Sequence, residues 1–373
     1  MSAPSFSILR CFSSLKDPRV QGRKRHLLLD IIAIALCAVI AGADNWQQVE
    51  AFGRKRLGWL GNFLPLPNGI PSHDTFERVF ERLAPAAFQR CLLGWLRQLA
   101  SQLGAKHFAI DGKTLRGSGS KARGLGMLHT VSVWATEVNL TLGQVAVDSH
   151  SNEIPAIPRL LQLLSLEGAL VTIDAMGCQK EIAQAILDAG GDYLLVVKGN
   201  QERLQEDILE AFTQAEAANY QGVEHDEYET EDEGHGRHEK RSYTVLYDLG
   251  KIRDKDEWPG LTVIGLCYSE REEAGKTSSE VRFFIGSKKE GARFYGNGLR
   301  NHWGIENNCH WQLDVTFGED DSRIRQRNVG QNMAMLRRLA LSLLKQHPGK
   351  GSVATKRYEA TLDSKMLEEI LKG

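Results

Sequence analysis

Hydrophobic residues recur at helical spacing through the first hundred residues of the chain. The run from Leu27 to Ala43 is almost entirely apolar, and after a Pro/Gly-rich break at residues 65–72 a second helical stretch extends to about residue 100. Such spacing predicts α-helices, and a run that is apolar on every side predicts a helix enclosed by other elements. Residues 1–100 are therefore expected to form an all-helical domain.

Beyond residue 104 the pattern changes to short apolar runs typical of β-strands. A first run ends at Asp111, "LHTVSVWAT" and "TLGQVAVDS" read as a hairpin, and "ALVTIDAMG" and "DYLLVVKGN" are continuous apolar runs of buried strands. Helical stretches between them indicate parallel crossovers. The pattern predicts a mixed α/β sheet flanked by helices, interrupted by a β-rich insertion that follows the acidic strip at residues 224–233.

These changes of pattern divide the chain into five segments. We expect a helical domain at residues 1–100 and the first part of an α/β core at residues 101–223. A β-rich insertion at residues 224–290 separates it from the second part of the core at residues 291–346, and residues 347–373 are expected to be a C-terminal tail.

The apolar run at residues 27–43 also raises the question of a membrane anchor. It is shorter than the roughly 20 residues that a spanning helix needs, and it contains Asp30, so a buried helix is the better interpretation. The six cysteines form no CxxC pair and no zinc-site spacing, which favours a reducing cytoplasm.

Charge is unevenly distributed although the net charge is only −1. The first 60 residues hold nine Lys/Arg against four acids, residues 288–345 hold ten against six, and residues 224–233 hold seven acids. With 42% hydrophobic and 25% charged residues, the composition is that of a globular protein. Two basic regions and one acidic strip are compatible with a polyanion bound on one face, or with plain solvated surface.

Two aspartates stand where strands are predicted to end. Asp111 closes the first strand, and Asp174 closes the run "LVTID". A single aspartate at such a place usually forms a turn or caps a helix. Ligands collect beyond the carboxyl ends of strands in open α/β sheets, so the two acids would face one site if their strands are neighbours.

A third acid lies in the stretch "HWGIENNCHWQLD", which we expect to be a continuous helix. His302, Glu306 and His310 would then share one stripe. The two histidines stand eight residues apart, about 12 Å along a helix, which disfavours a zinc site. Trp303 and Trp311 are expected to pack the helix against the sheet.

Three carboxylates from two strand ends and a helix suit two Mg²⁺ or Mn²⁺ ions, which assist phosphodiester displacement when held together. The candidate metal ligands and catalytic residues are Asp111, Asp174 and Glu306. Basic residues around such a site would contact the phosphates of a polyanion. The candidates at this point are Lys113, Arg116, Lys198 and Arg300.

Four motifs in order, "FAIDGKTLRGS", "TIDAMGCQKEIA", "VVKGNQ" and "LRNHWGIENNCHWQLDVTFGEDDSRIR", resemble those of the H-repeat-associated transposases of bacterial insertion sequences. This family lies within the DDE superfamily. The resemblance implies a ribonuclease-H-like core and the triad Asp111, Asp174 and Glu306. It implies cleavage at element ends and strand transfer into target DNA, with double-stranded DNA as partner and a homodimer or larger assembly on it.

One departure from the broader group concerns the surroundings of the third acid. Many of its members carry Tyr, Arg and Lys at places that hold Leu299, His302 and Leu313 in this sequence. His302, His310, Arg300, Arg323 and Arg325 are candidates for holding the DNA end instead. Two other functions stay open: a domesticated or inactive DNA-binding relative, and a stand-alone metal-dependent nuclease.

Overall fold

A computed structural model describes residues 6–20, 22, 24–120, 122, 124–147, 152–234 and 236–372. The helices are α1 (Ser7–Arg10), α2 (Leu28–Ile40), α3 (Trp46–Lys55), α4 (Leu57–Leu60), α5 (His73–Arg82), α6 (Pro85–Gln102), α7 (Ala156–Leu161), α8 (Lys180–Asp188), α9 (Glu202–Ala217), α10 (Ala292–His302), α11 (Trp311–Val315), α12 (Arg327–Gln346), α13 (Val353–Leu362) and α14 (Ser364–Lys372). The strands are β1 (His107–Leu115), β2 (Leu128–Ala135), β3 (Leu140–Val147), β4 (Leu170–Ile173), β5 (Asp192–Val197), β6 (His225–Gly234), β7 (Arg237–Leu246), β8 (Val263–Glu273) and β9 (Lys276–Gly286).

The strands of the described residues form a sheet in the order β3-β2-β1-β4-β5-β9-β8-β7-β6. Strands β1, β4 and β5 run parallel to one another. The antiparallel pairs are β2 with β3, β5 with β9, β9 with β8, β8 with β7, and β7 with β6. The prediction of a mixed α/β sheet is confirmed. The acidic strip itself is the edge strand β6, so it belongs to the sheet and does not merely precede the β-rich stretch.

The chain divides into two compact units. The first unit comprises residues 1–104, 112–151 and 306–373, and the second comprises residues 105–111 and 152–305. Each unit therefore combines segments that are distant in the sequence.

In the first unit, the apolar helix α2 is enclosed by other helices. Residues 30–40 are buried, and α12 packs against α2, α5, α6 and β3. The prediction of a buried helix is confirmed. No helix among the described residues is long and apolar enough to cross a membrane.

In the second unit, α10 packs against β4, β5, β6 and β7. Gly298 permits a close approach, because a Cβ at this position would lie 3.0 Å from a methyl carbon of Leu170 and 3.0 Å from one of Leu194. The buried side chains around this contact include Tyr243, Phe284 and Tyr295. The sheet and α10 thus share one core.

Two predictions about where elements end differ from the structure. Strand β1 does not end at Asp111 but continues to Leu115. Residues 107–110 of β1 pair with β4, and β2 is the neighbour of β1 on its other side. Residues 347–373 are predicted to be a tail, but they contain α13 and α14. Buried apolar side chains of these two helices in the first unit are Val353, Ala360, Leu367, Ile370 and Leu371.

Asn332 holds the end of α5 in the first unit and provides a test of this packing. Its buried side-chain amide donates to the carbonyl oxygens of Phe80 (2.8 Å) and Leu83 (2.9 Å). These carbonyls lie at the helix end, where they lack helical partners. We expect Asn332→Ala to lower the free energy of unfolding by about 1–3 kcal/mol, because buried carbonyl groups lose their hydrogen bonds.

Asn328→Ala is the matched control for urea unfolding, because Asn328 donates 3.0 Å to Glu81 on the surface of the same two helices. A loss for Asn332→Ala no larger than for Asn328→Ala would contradict this account.

Candidate active site

The parallel pairing of β1 with β4 places two acidic residues side by side in the second unit. The register pairs Ile110 with Ile173, so Asp111 is the next residue of β1 and Asp174 is the first residue after β4. Adjacent strands lie about 4.8 Å apart. The two strands predicted to carry these acids are therefore neighbours, and the carboxylates start from adjacent backbone positions.

Burial raises the pKa of Asp174, and the nearby carboxylate of Glu153 raises it further. Hydrogen bonds from the backbone amides of Gly177 and Met176, and the positive charge of Lys198, act in the opposite direction. Asp174 is thus a desolvated carboxylate with an acidic neighbour, and a cation bound beside it would favour its ionised form.

The loop that follows Asp174 is braced by two side chains from the segment after β5. Asn200 donates to the carbonyl oxygen of Ala175 at 2.7 Å, and Gln201 donates to that of Cys178 at 2.8 Å. Neither residue is among the site residues that the sequence predicts. Their only signal in the sequence was the motif "VVKGNQ", which contains both.

Glu306 lies in the first unit, at the start of a π-helical turn. The α-helix α10 ends at His302, the π turn covers Glu306–His310, and α11 starts at Trp311. The prediction of one continuous helix is wrong, because a π turn bonds residues five apart and changes the direction of the following side chains. The stripe of His302, Glu306 and His310 therefore does not form.

The tryptophans of this segment do not pack as expected. Trp303 is 40% exposed and Trp311 is 53% exposed, whereas Ile305, Cys309 and Leu313 are fully buried. The buried contacts of this segment are therefore made by Ile305, Cys309 and Leu313 and not by the two tryptophans.

Asp111 and Asp174 follow neighbouring strands, but the described residues contain no complete set of metal ligands. Nowhere in the described parts of the chain do three or more His, Cys, Asp or Glu side chains form a group that could hold a metal ion. The zinc alternative built on His302, Glu306 and His310 therefore has no support.

His302 belongs to a hydrogen-bonded chain inside the second unit. The hydroxyl of Thr172 lies 3.0 Å from Nδ1 of His302 and 2.9 Å from Nε2 of His107. Burial lowers the pKa of His302 to about 4 and that of His107 to about 3. A neutral imidazole does not supply the positive charge that a contact between His302 and a DNA phosphate requires, so this predicted contact is wrong.

Lys113 is a second correction among the expected DNA contacts. It is 6% exposed, and its ammonium group lies 2.5 Å from Asp314 and 3.6 Å from Asp320 within the first unit. This lysine stabilises the interior of the unit and is not presented to a ligand.

The other expected contacts lie at or near the surface. Arg116, Lys198, Arg300 and Arg323 are exposed, and Arg325 is half-buried. Two of them form ion pairs: Arg116 lies 3.4 Å from Asp320, and Arg300 lies 2.6 Å from Asp232 on β6. Arg325 donates to the carbonyl oxygen of Gly119 at 3.3 Å.

Family models match most of the chain. The "Transposase DDE domain" matches residues 102–343, and a model described as "DDE_Tnp_1-associated" matches residues 9–96. The chain belongs to the DDE transposase family. The resemblance found in the motifs is confirmed, and the function of the chain is that of an insertion-sequence transposase.

Full-length relatives agree with this assignment. "Putative transposase YncI" of Escherichia coli O157:H7 is 41% identical over 98% of this chain and 94% of its own length. "H repeat-associated putative transposase YhhI" of Escherichia coli K12 is 38% identical over 98% of both chains. A solved piggyBac transposase synaptic complex with hairpin DNA is similar at a TM-score of 0.42 and 9% identity, covering 98% of this chain and 77% of that one. This structural likeness is too distant to support a conclusion.

The histidine chain of the second unit predicts a pH-dependent stability. Because the folded pKa values lie below the usual 6.5, the stabilisation is complete above about pH 6.5 and is lost as the pH falls toward 4. We expect His302→Gln, which cannot titrate, to reduce the pH dependence of the unfolding free energy in this window by at most about 1.4 kcal/mol per pH unit.

Chemical denaturation at pH 7.0, 5.5 and 4.5 measures this dependence, with the exposed His225→Gln as the matched control. The same slope in His302→Gln and in the wild type would show that His302 is not held neutral by the fold.

Proposed function

We propose that the transposase cleaves DNA with Asp111, Asp174 and Glu306 as catalytic carboxylates. The adjacent positions of Asp111 and Asp174 at the junction of two parallel strands carry this proposal. Glu306 is assigned by its motif, and it is an exposed residue at the start of the π turn. On this proposal the α/β sheet contains a ribonuclease-H-like core, residues 1–100 form a DNA-binding domain, and residues 224–290 are an insertion.

The donor chemistry of the aspartate pair fits a divalent metal ion. Carboxylate oxygens are the hard ligands that Mg²⁺ and Mn²⁺ prefer. Burial and the nearby Glu153 make the isolated Asp174 carboxylate unfavourable, so a bound cation would relieve a cost already present in the fold. Asp111, Asp174 and Glu306 would hold two such ions.

When bound, these ions supply Lewis-acid stabilisation to the attacking and leaving oxygens of a phosphodiester. Strands β1 and β4 fix the two aspartates on a rigid sheet, while Asn200 and Gln201 hold the loop beyond Asp174. The reaction is hydrolysis at the element end, followed by attack of the freed 3′-hydroxyl on target DNA. It requires no covalent bond to the protein.

Exposed basic residues would bind the DNA backbone. Lys113 and His302 are no longer candidates for contacts to DNA phosphates. The basic residues that we still propose as phosphate contacts are Arg116, Lys198, Arg300, Arg323 and Arg325. Lys198 stands out because its charge already acts on Asp174, so a phosphate beside it would lie near the aspartate pair. The substrates are the terminal repeats of the element and the target duplex, bound by a dimer or larger assembly in the cytoplasm.

We expect Asp111→Asn, Asp174→Asn and Glu306→Gln each to slow Mg²⁺-dependent cleavage of terminal-repeat DNA by at least about 100-fold, since several kcal/mol of transition-state stabilisation are lost. DNA affinity, measured by fluorescence anisotropy, should change little. The matched control is Asp188→Asn, an exposed aspartate at the end of α8. Cleavage near the wild-type rate by any of the three variants would remove that residue from the site.

Lys198→Ala tests the proposed phosphate contact. We expect weaker binding to all DNA sequences alike, with the slope of log affinity against log salt reduced by about 0.9, as for one lost phosphate contact. Lys240→Ala removes another exposed lysine, on β7, and serves as the control. An unchanged salt slope in Lys198→Ala would exclude this residue from the DNA contacts.

A further inference from the structure

The π-helical turn at Glu306–His310 is an unusual backbone conformation at the third proposed acid. π turns are rare, and conformations of this kind persist only where the surrounding structure holds them. The residues that hold this turn therefore determine where the backbone of Glu306 lies.

Two side chains of the turn have contacts elsewhere in the first unit. Cys309 is fully buried, and its sulfur lies 3.7 Å from the hydroxyl of Thr141 on β3. Asn308 is exposed, and its side-chain oxygen accepts a hydrogen bond of 3.1 Å from the ammonium group of Lys345. A thiol and a hydroxyl at this distance interact weakly, so the charged hydrogen bond is the stronger of the two contacts.

Lys345 is well placed to act as a fixed anchor. It lies in the last turn of α12, is half-buried, and its Nζ stands 5.8 Å from the ring centre of Trp134. Trp134 is fully buried in β2. Partial burial lowers the pKa of Lys345, because it disfavours the charged ammonium group. A partly buried cation near an aromatic face gains more from the Asn308 oxygen than a fully solvated lysine would.

We propose that Lys345 is a positioning residue for DNA cleavage, which holds the π turn through Asn308 and thereby fixes the carboxylate of Glu306. This inference rests on the proposed function, because it assumes that Glu306 binds metal. Lys345 touches neither metal nor DNA in this proposal. Its effect passes through the backbone of residues 306–310.

The test uses the full-length protein with Lys345→Met, which keeps the aliphatic stem, and Asn308→Ala, which removes the acceptor at an exposed position. Hydrogen exchange of the peptide covering residues 303–313 reports on the turn, and calorimetric titration with Mn²⁺ reports on the metal site. We expect about 10-fold faster exchange and about 10- to 100-fold weaker Mn²⁺ binding in each variant, the usual effect of losing an outer-shell partner.

Controls separate this effect from general loss of structure. Lys345→Arg keeps the charge and should recover most of the Mn²⁺ affinity, while Lys350→Met removes an exposed lysine just beyond α12 and should behave as wild type. The double variant of Lys345→Met with Asn308→Ala should be no weaker than either single variant, because both remove the same contact. DNA affinity should be unchanged throughout.

Each other outcome overturns the proposal in a distinguishable way. Unchanged exchange in Lys345→Met and Asn308→Ala would show that the contact does not hold the turn. Faster exchange with unchanged Mn²⁺ affinity would show that the turn does not position a metal ligand. If Glu306→Gln bound Mn²⁺ and cleaved DNA like the wild type, the assignment of Glu306 would fail first, and the role of Lys345 with it.

Discussion

The candidate site depends on the parallel pairing of β1 with β4, residue against residue from His107–Leu170 to Ile110–Ile173. The apolar positions of both strands are buried, so a shift of one residue would turn their core side chains toward the opposite face of the sheet. The register that buries Ile110 and Ile173 is therefore the same register that sets Asp111 beside Asp174. The position of the two acids follows from the hydrophobic core.

The protein around Asp174 both favours and opposes the ionised form of this carboxylate. Backbone amides and Lys198 favour the ionised form of Asp174, while burial and Glu153 oppose it. A carboxylate in such surroundings is stabilised in its ionised form by a divalent cation beside it. The negative charge that would bind metal also requires basic residues near the DNA, and we propose the exposed Lys198 for this role.

Much of the second unit could be predicted from sequence, because the strands around Asp111 and Asp174 are short apolar runs whose local pattern decides their type. The segment around Glu306 could not be predicted in this way. Its π turn is held by contacts such as Lys345 with Asn308, 37 residues apart, which no local periodicity contains. Lys113 was misjudged for the same reason, since its partner Asp314 lies 201 residues further along the chain.

The most direct test of the central claim is an experimental structure of the full-length protein with Mn²⁺ and terminal-repeat DNA. Anomalous scattering from manganese would locate the metal independently of the protein. The account predicts manganese bound by Asp111 and Asp174, with the carboxylate of Glu306 as a further ligand and the DNA phosphate beside the metal. Manganese bound elsewhere, or DNA bound away from the aspartate pair, would contradict it.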